Sequence, residues 1–286
     1  MEINKHISFL MHDNPKLFAY LEEHSIFYKQ VYQSCVFDML ESNPHWGNVN
    51  ALLKKGNVVC LSDTIYTKKE LSDAQWLTVR SVWKFGYPQP EGGEGYEAAT
   101  YSLDGYCSDC GSGLVQKSGF RMKKAPKWGK RHFMMLNWVG DELFVDDVAK
   151  TLLSQSNLSG FSFREVYNKN GTEILDGVYQ IYIQKTLPNG LLTNTQYIDK
   201  VEQCHNCGIT KYHSTGIGNC VFQKEIFEGA PDIVKSKEMF GWEYWMQKEI
   251  IVSQQFYQFI IQNNLGNALE FRPIELINKT GDGSLS

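Results

Sequence analysis

The sequence lacks most of the features that announce a compartment or a chemistry. Its N-terminal stretch, MEINKHISFLMHDNPKLFAYLEEHS, has no basic head, long apolar centre or small-residue cleavage site. A secretory leader is therefore not expected. No run reaches the ~18 apolar residues that a membrane span needs. Neither sign of charge dominates: 28 Lys+Arg face 32 Asp+Glu, for a net charge of −4 and a pI of about 6.0. That balance argues against a general nucleic-acid or anionic-membrane binder. The expectation is a soluble, cytoplasmic protein. Catalytic signatures are missing as well. There is no G-x-S-x-G elbow, P-loop, G-x-G-x-x-G fingerprint or His-Glu-x-x-His helix. A zinc deaminase would need His-x-Glu with Pro-Cys-x-x-Cys, and neither occurs. The chain reads as non-enzymatic.

What is present is apolar bulk. Hydrophobic residues make up 42% and aromatics 13% of 286 residues, enough to bury a sizeable core without help from a metal. The Asn-x-Ser/Thr triplets at Asn157, Asn170 and Asn278 read as chance matches without secretion. Residues 1–95 mix helix and strand signals. Asn14-Pro15 opens a short helix with Leu17, Phe18 and Leu21 on its apolar face. The Gly/Pro/Glu-rich stretch from Gly86 to Gly95 reads as an exposed loop and a boundary. Residues 278–286 read as a disordered tail.

Between these lies an internal repeat. One copy runs from CSDCG to NWVGDELFVDDVAKTLLSQSNLSGFSFREV. The other runs from CHNCG to EYWMQKEIIVSQQFYQFIIQNNLGNALEFRPIE. Trp138 matches Trp245, Glu142–Val145 match Glu249–Val252, and Phe163-Arg164 match Phe271-Arg272. The expected units are 96–190 and 191–277. In each, a short apolar strand precedes a helix N-cap, Asp146 or Ser253. Phe256, Phe259 and Ile260 share one face of the second helix. Asn-Leu-Ser-Gly (157–160) and Asn-Leu-Gly-Asn (264–267) end the helices, and strands with Phe161 and Phe163, or Leu269 and Phe271, follow. Gly177–Lys185 alternates as a further strand, closed by the turn Leu187-Pro188-Asn189-Gly190. The expected class is α+β: antiparallel sheets with short helices, the two related units joined by a zinc-ribbon-like four-cysteine site.

Seven cysteines is an odd number, and four form the pairs Cys107/Cys110 and Cys204/Cys207. In a reducing compartment such pairs favour metal over disulfides. Structural zinc takes four ligands in a tetrahedron, and thiolates suit it. Gly111 and Gly208 follow the second cysteine of each pair and relieve the tight turn. The expectation is one structural zinc on Cys107, Cys110, Cys204 and Cys207. Four thiolates leave no open position for catalytic water. Three alternatives remain: thiols without metal, a redox dithiol, and replacement of one cysteine by His205 or His213. Cys35, Cys60 and Cys220 read as buried small hydrophobes.

A second cluster is basic: Lys117, Arg121, Lys123, Lys124, Lys127, Lys130 and Arg131, with Phe120 and Trp128 interleaved and Phe133 following. Such a segment can hold single-stranded nucleic acid. It can also meet an acidic protein surface, or be a solvated β-hairpin turning at Pro126 and Gly129. Trp76, Arg80 and Trp83 read as core packing around a paired arginine. Trp138, Trp242 and Trp245 read as core anchors of the repeat units. Asp141-Glu142 and Asp146-Asp147 read as exposed helix starts.

The segments Cys107-Ser108-Asp109-Cys110-Gly111 and Cys204-His205-Asn206-Cys207-Gly208 resemble the double-CXXCG family of bacterial polymorphic-toxin immunity proteins. Ile251-Val252-Ser253, an apolar helix and Leu269-Glu270-Phe271-Arg272-Pro273-Ile274 look like the closing unit of several immunity-protein families. The resemblance covers about residues 100–277. It implies a non-enzymatic inhibitor that binds and masks a toxin domain. The charge balance separately disfavours nucleic acid as a partner, and no membrane partner is expected. The rival expectation is a zinc-ribbon nucleic-acid binder that uses the Lys117–Arg131 segment.

Overall fold

The computed structural model describes residues 1–92, 95–242 and 245–278. Apart from Asn278, the expected C-terminal tail lies outside the described residues. The chain divides into two compact units: Met1–Glu70 with the loop Thr215–Gly218, and Leu71–Ser214 with the chain from Asn219 onward. The division falls at 70/71, so residues 71–95 go with the larger unit.

The smaller unit is built from β1 (Glu2–Leu10), α1 (Pro15–Glu23), β2 (Lys29–Val31), β3 (Ser34–Leu40), α2 (Trp46–Leu53) and β4 (Val58–Ile65). Pro15 starts α1, where its missing N–H costs nothing. The antiparallel order β2-β3-β1-β4 is the split βαβ arrangement of ferredoxin-like folds. Alternate residues Ile7, Phe9, Cys35, Phe37 and Met39 face Leu17, Leu21, Val49 and Leu53 of the helices.

Helix α3 (Lys68–Asp73) carries the chain onward. The larger unit continues with β5 (Trp76–Ser81), α4 (Gly95–Thr100), β6 (Tyr101–Ser102), β7 (Val115–Gln116), β8 (Arg121–Met122) and β9 (Phe133–Leu136). Next come β10 (Val139–Val145), α5 (Asp147–Ser154), β11 (Phe161–Asn168), β12 (Ile174–Ile183), β13 (Ile198–Gln203) and β14 (Thr210–Ser214). The chain ends in β15 (Cys220–Gln223), β16 (Ile233–Lys235), β17 (Met239–Trp242), β18 (Trp245–Gln247), β19 (Ile250–Ser253), α6 (Gln254–Gln262) and β20 (Leu269–Ile277). The sheets run β8-β11-β12-β10-β9, β13-β14-β17-β18 and β15-β20-β5-β19-β16, with β6-β7 as a separate pair. Most pairings are antiparallel; β8/β11, β14/β17 and β15/β20 are parallel. The class is α+β with short helices.

The two repeated segments fold as strand–helix–strand, β10-α5-β11 and β19-α6-β20. In each, one antiparallel strand separates the flanking strands: β12 in the first and β5 in the second. The register also corresponds. Val145 pairs with Tyr179 and Phe163 with Ile181, two residues further along β12. Val252 pairs with Leu77 and Phe271 with Val79, two residues further along β5. Both helices start at the expected side-chain cap: Asp146 accepts from Ala149 N–H, and Ser253 from Phe256 N–H. Both motifs contribute to one core, where Leu143, Val145 and Leu153 join Val252, Phe256 and Ile260. Each such fully buried side chain stabilises the fold by roughly 1.5–3 kcal/mol.

Several expectations need correction. Trp138 and Trp245 are not core anchors; they are 49% and 42% exposed. Trp138 occupies a β9–β10 turn, and Trp245 lies on the edge strand β18, so neither faces the core. The side chain of Trp242 lies outside the described residues. Asp141 and Glu142 sit within β10, not at a helix start, and Glu142 is buried. Cys60 is exposed because β4 is an edge strand, whereas Cys35 and Cys220 are buried. Within the Gly86–Gly95 loop, Pro88 and Gln89 are buried.

Candidate metal centre

Each cysteine pair closes a β-hairpin. The first lies in the loop between β6 and β7, where Tyr101 pairs with Gln116 and Ser102 with Val115. The second lies at the tip of β13–β14, directly after the pair Gln203–Thr210. The knuckles repeat one hydrogen-bond pattern. Cys107 N–H donates to Ser112 O and Gly111 N–H to Cys107 O, at 2.9 and 2.8 Å. Cys204 N–H donates to Ile209 O and Gly208 N–H to Cys204 O, both at 2.9 Å. Gly111 and Gly208 take φ of 76° and 72°, left-handed values that a side chain resists.

The hairpins bring all four sulfurs within 4.8 Å of one another. Cys107 Sγ lies 3.8 Å from Cys204 Sγ, and Cys110 Sγ lies 3.5 Å from Cys207 Sγ. A tetrahedron of sulfurs about 2.3 Å from a central ion has edges of about 3.8 Å. The separations thus suit a metal ion. Cys107, Cys110 and Cys204 are buried and Cys207 is exposed, with Met246 packed against the cluster.

The surroundings polarise the set. Burial pushes the Cys110 thiol up to about 12, whereas hydrogen bonds from the Ser112 hydroxyl and the Ile209 N–H bring Cys207 down to about 6. The Ser112 oxygen lies 3.2 Å from Cys110 Sγ and 3.4 Å from Cys207 Sγ. Asn206 Nδ2 donates to Cys107 Sγ at 3.8 Å. Four crowded thiols cannot all ionise unaided; a dication among them offsets the repulsion. The two histidines stand outside the set. His205 is exposed, and buried His213 directs Nε2 at Glu202, 3.1 Å away.

A second polar feature was not legible beforehand. Lys235 Nζ on β16 lies 2.5 Å from Glu142 Oε1 and 3.3 Å from Asp141 Oδ2. Gln180 Nε2 donates to Glu142 Oε2 at 2.9 Å, and Gln116 extends the chain to Gln180. Burial raises the Glu142 carboxyl, with Lys235 opposing. Burial disfavours the Lys235 charge too, but Asp141 and Glu142 outweigh it and hold its ammonium well above the usual range.

The basic segment does not form the expected hairpin. β8 is two residues long and pairs with β11, and 123–132 is irregular. Its aromatic residues are engaged inward. Phe120 is fully buried, and Trp128 donates Nε1–H to Gly177 O while packing on Trp83. Arg131 lies over the Trp83 ring, Lys123 pairs with Glu91, and Arg121 packs around Gly171. Lys117, Lys124, Lys127 and Lys130 remain exposed. Arg80 forms a bidentate bond with Glu270, and Trp76 packs on Phe227. No described helix is long and apolar enough to cross a membrane. The chain matches no family model and no curated protein.

Proposed function

We propose that Cys107, Cys110, Cys204 and Cys207 bind one structural zinc, and that the chain is a non-enzymatic protein-binding module. In this reading it is a cytoplasmic immunity protein that binds and neutralises a bacterial toxin, as the double-CXXCG resemblance implies. The observation that carries the zinc is the meeting of two matched knuckles from distant hairpins, with sulfur separations suited to a tetrahedral ion. An all-thiolate set favours zinc over harder cations, and a filled sphere suits a staple, not a catalyst. The shared register of β10-α5-β11 and β19-α6-β20 supports reading them as copies of one unit, with the zinc tying a hairpin near each copy.

Elemental analysis of protein purified without added metal tests the site. About one zinc per chain is expected, and none in Cys107→Ser. Unchanged zinc in that variant removes the four-cysteine assignment. The immunity reading has its own test. A susceptible bacterial recipient expressing the chain should survive co-culture with a strain that delivers the matching toxin. Killing as complete as in the empty-vector control rejects it.

A further inference from the structure

The four sulfurs differ in what can reach them. Cys107, Cys110 and Cys204 are 4%, 0% and 7% exposed, whereas Cys207 opens to solvent at the tip of the β13–β14 hairpin. A metal-bound cysteine is held as the thiolate, the form that reacts with peroxides. Oxidant arriving from solvent therefore meets one ligand first.

That ligand has a second thiol beside it. Cys110 Sγ, on the β6–β7 hairpin, lies 3.5 Å from Cys207 Sγ. The Ser112 oxygen stands 3.4 Å from Cys207 Sγ and 3.2 Å from Cys110 Sγ, so one hydroxyl touches both sulfurs. An oxygen added to Cys207 from the solvent leaves Cys110 on its buried side, opposite the group that must depart. Closing an S–S bond of about 2.0 Å asks the two sulfurs to approach by about 1.5 Å. Cys204, the other thiol of the second knuckle, faces Cys107 at 3.8 Å. The sulfurs are thus set against each other across the hairpins.

We propose that the four-cysteine site is a peroxide-sensitive switch, in which oxidation starts at Cys207, closes a Cys110–Cys207 disulfide between the two hairpins and releases the zinc. This rests on the structural-zinc reading and adds the regulation of that site. The Cys207 thiolate attacks one oxygen of hydrogen peroxide, the O–O bond breaks, and hydroxide leaves. Cys207 is then a sulfenic acid, which condenses with a neighbouring thiol. The Cys110 thiolate attacks its sulfur, the S–O bond breaks, and a second hydroxide leaves. The two sulfurs together lose two electrons, and the peroxide gains them. Only Cys107 and Cys204 remain as ligands, half of the tetrahedral set. The new bond keeps the hairpins joined after the metal has left.

The test uses the full chain carrying Cys60→Ser, which removes the exposed thiol of the smaller unit and leaves the site untouched. Zinc is measured first, and hydrogen peroxide is then added with a chromogenic chelator present. Dimedone traps sulfenic acid, and peptide mapping by mass spectrometry without reduction assigns the disulfide. Dimedone should mark Cys207 before any other cysteine. Without dimedone, zinc release and the Cys110–Cys207 disulfide should rise together, about one of each per chain. Reduction by a phosphine with added zinc should reverse both. First labelling at another cysteine, or a disulfide within either knuckle in its place, overturns the proposal. So does zinc loss that follows oxidation of Met246, which packs against the cluster, without any disulfide. Zinc present at the start and retained in excess peroxide refutes the switch alone. Zinc absent from the untreated protein removes the metal reading and the switch with it.

Discussion

Replacing Lys235 by methionine removes the only side chain that neutralises Glu142 within hydrogen-bond reach among the described residues. The Glu142 side chain is 7% exposed and Lys235 13%, so water cannot take the place of the ammonium. Breaking one partner of a buried ion pair costs about 3–5 kcal/mol. In a unit of this size that lowers the thermal midpoint by about 6–20 °C. The pH dependence has a definite sign. Burial already raises the Glu142 carboxyl and Lys235 opposes it, so losing Lys235 raises it further. A carboxyl whose folded pKa exceeds its unfolded value binds the proton more readily when folded. Its contribution is present at low pH and lost as pH rises through the folded pKa. The deficit of Lys235→Met against the parent should therefore be smallest near about pH 4–5 and widen toward about pH 8. Urea unfolding followed by tryptophan fluorescence at both pH values measures it. A deficit below about 1 kcal/mol, or one that does not change with pH, would refute the buried-pair account. Glu142→Gln combined with Lys235→Met should recover most of the loss, because the amide keeps its bond with Gln180 and leaves no buried charge.

Two further perturbations probe the local devices. Gly111→Ala and Gly208→Ala should each cost about 1–2 kcal/mol at φ near +70° and speed zinc transfer to a chromogenic chelator; unchanged release would show that the knuckles tolerate a side chain. Asp146→Ala and Ser253→Ala should each lose about 1 kcal/mol of cap stabilisation in chemical unfolding. Asp146→Ala should lose more, since Asp146 also holds His132 Nδ1 at 2.8 Å, and equal losses would deny that bond any weight.

Local rules made part of the structure legible. The start of α1 follows from Pro15 at its first turn, and the starts of α5 and α6 follow from the caps Asp146 and Ser253, because these devices depend only on neighbouring residues. Gly177–Ile183 alternates and is strand β12 over that span. The C-x-x-C-G segments announce tight knuckles for the same local reason. Other readings failed where burial depends on distant partners. Trp138 and Trp245 are apolar and sit in corresponding places, which suggested a core; a left-handed turn and an edge strand leave both outside it. Asp141-Glu142 looked like a solvated pair because its cation, Lys235, lies far along the chain on β16.

The sequence alone determined the donor set: two cysteine pairs, each followed by the glycine that its turn requires, and no catalytic motif beside them. It also determined the class of the elements, since periodicity and caps are properties of adjacent residues. Only the tertiary structure decided that Cys107 and Cys110 meet Cys204 and Cys207, because that meeting depends on how the β6–β7 and β13–β14 hairpins pack. It likewise placed β5, from before the repeat, between β19 and β20, where hydrogen-bond pairing depends on register across distant segments. And it buried Glu142 beside Lys235, a pairing set by packing that neither residue's neighbours in the chain could have foretold.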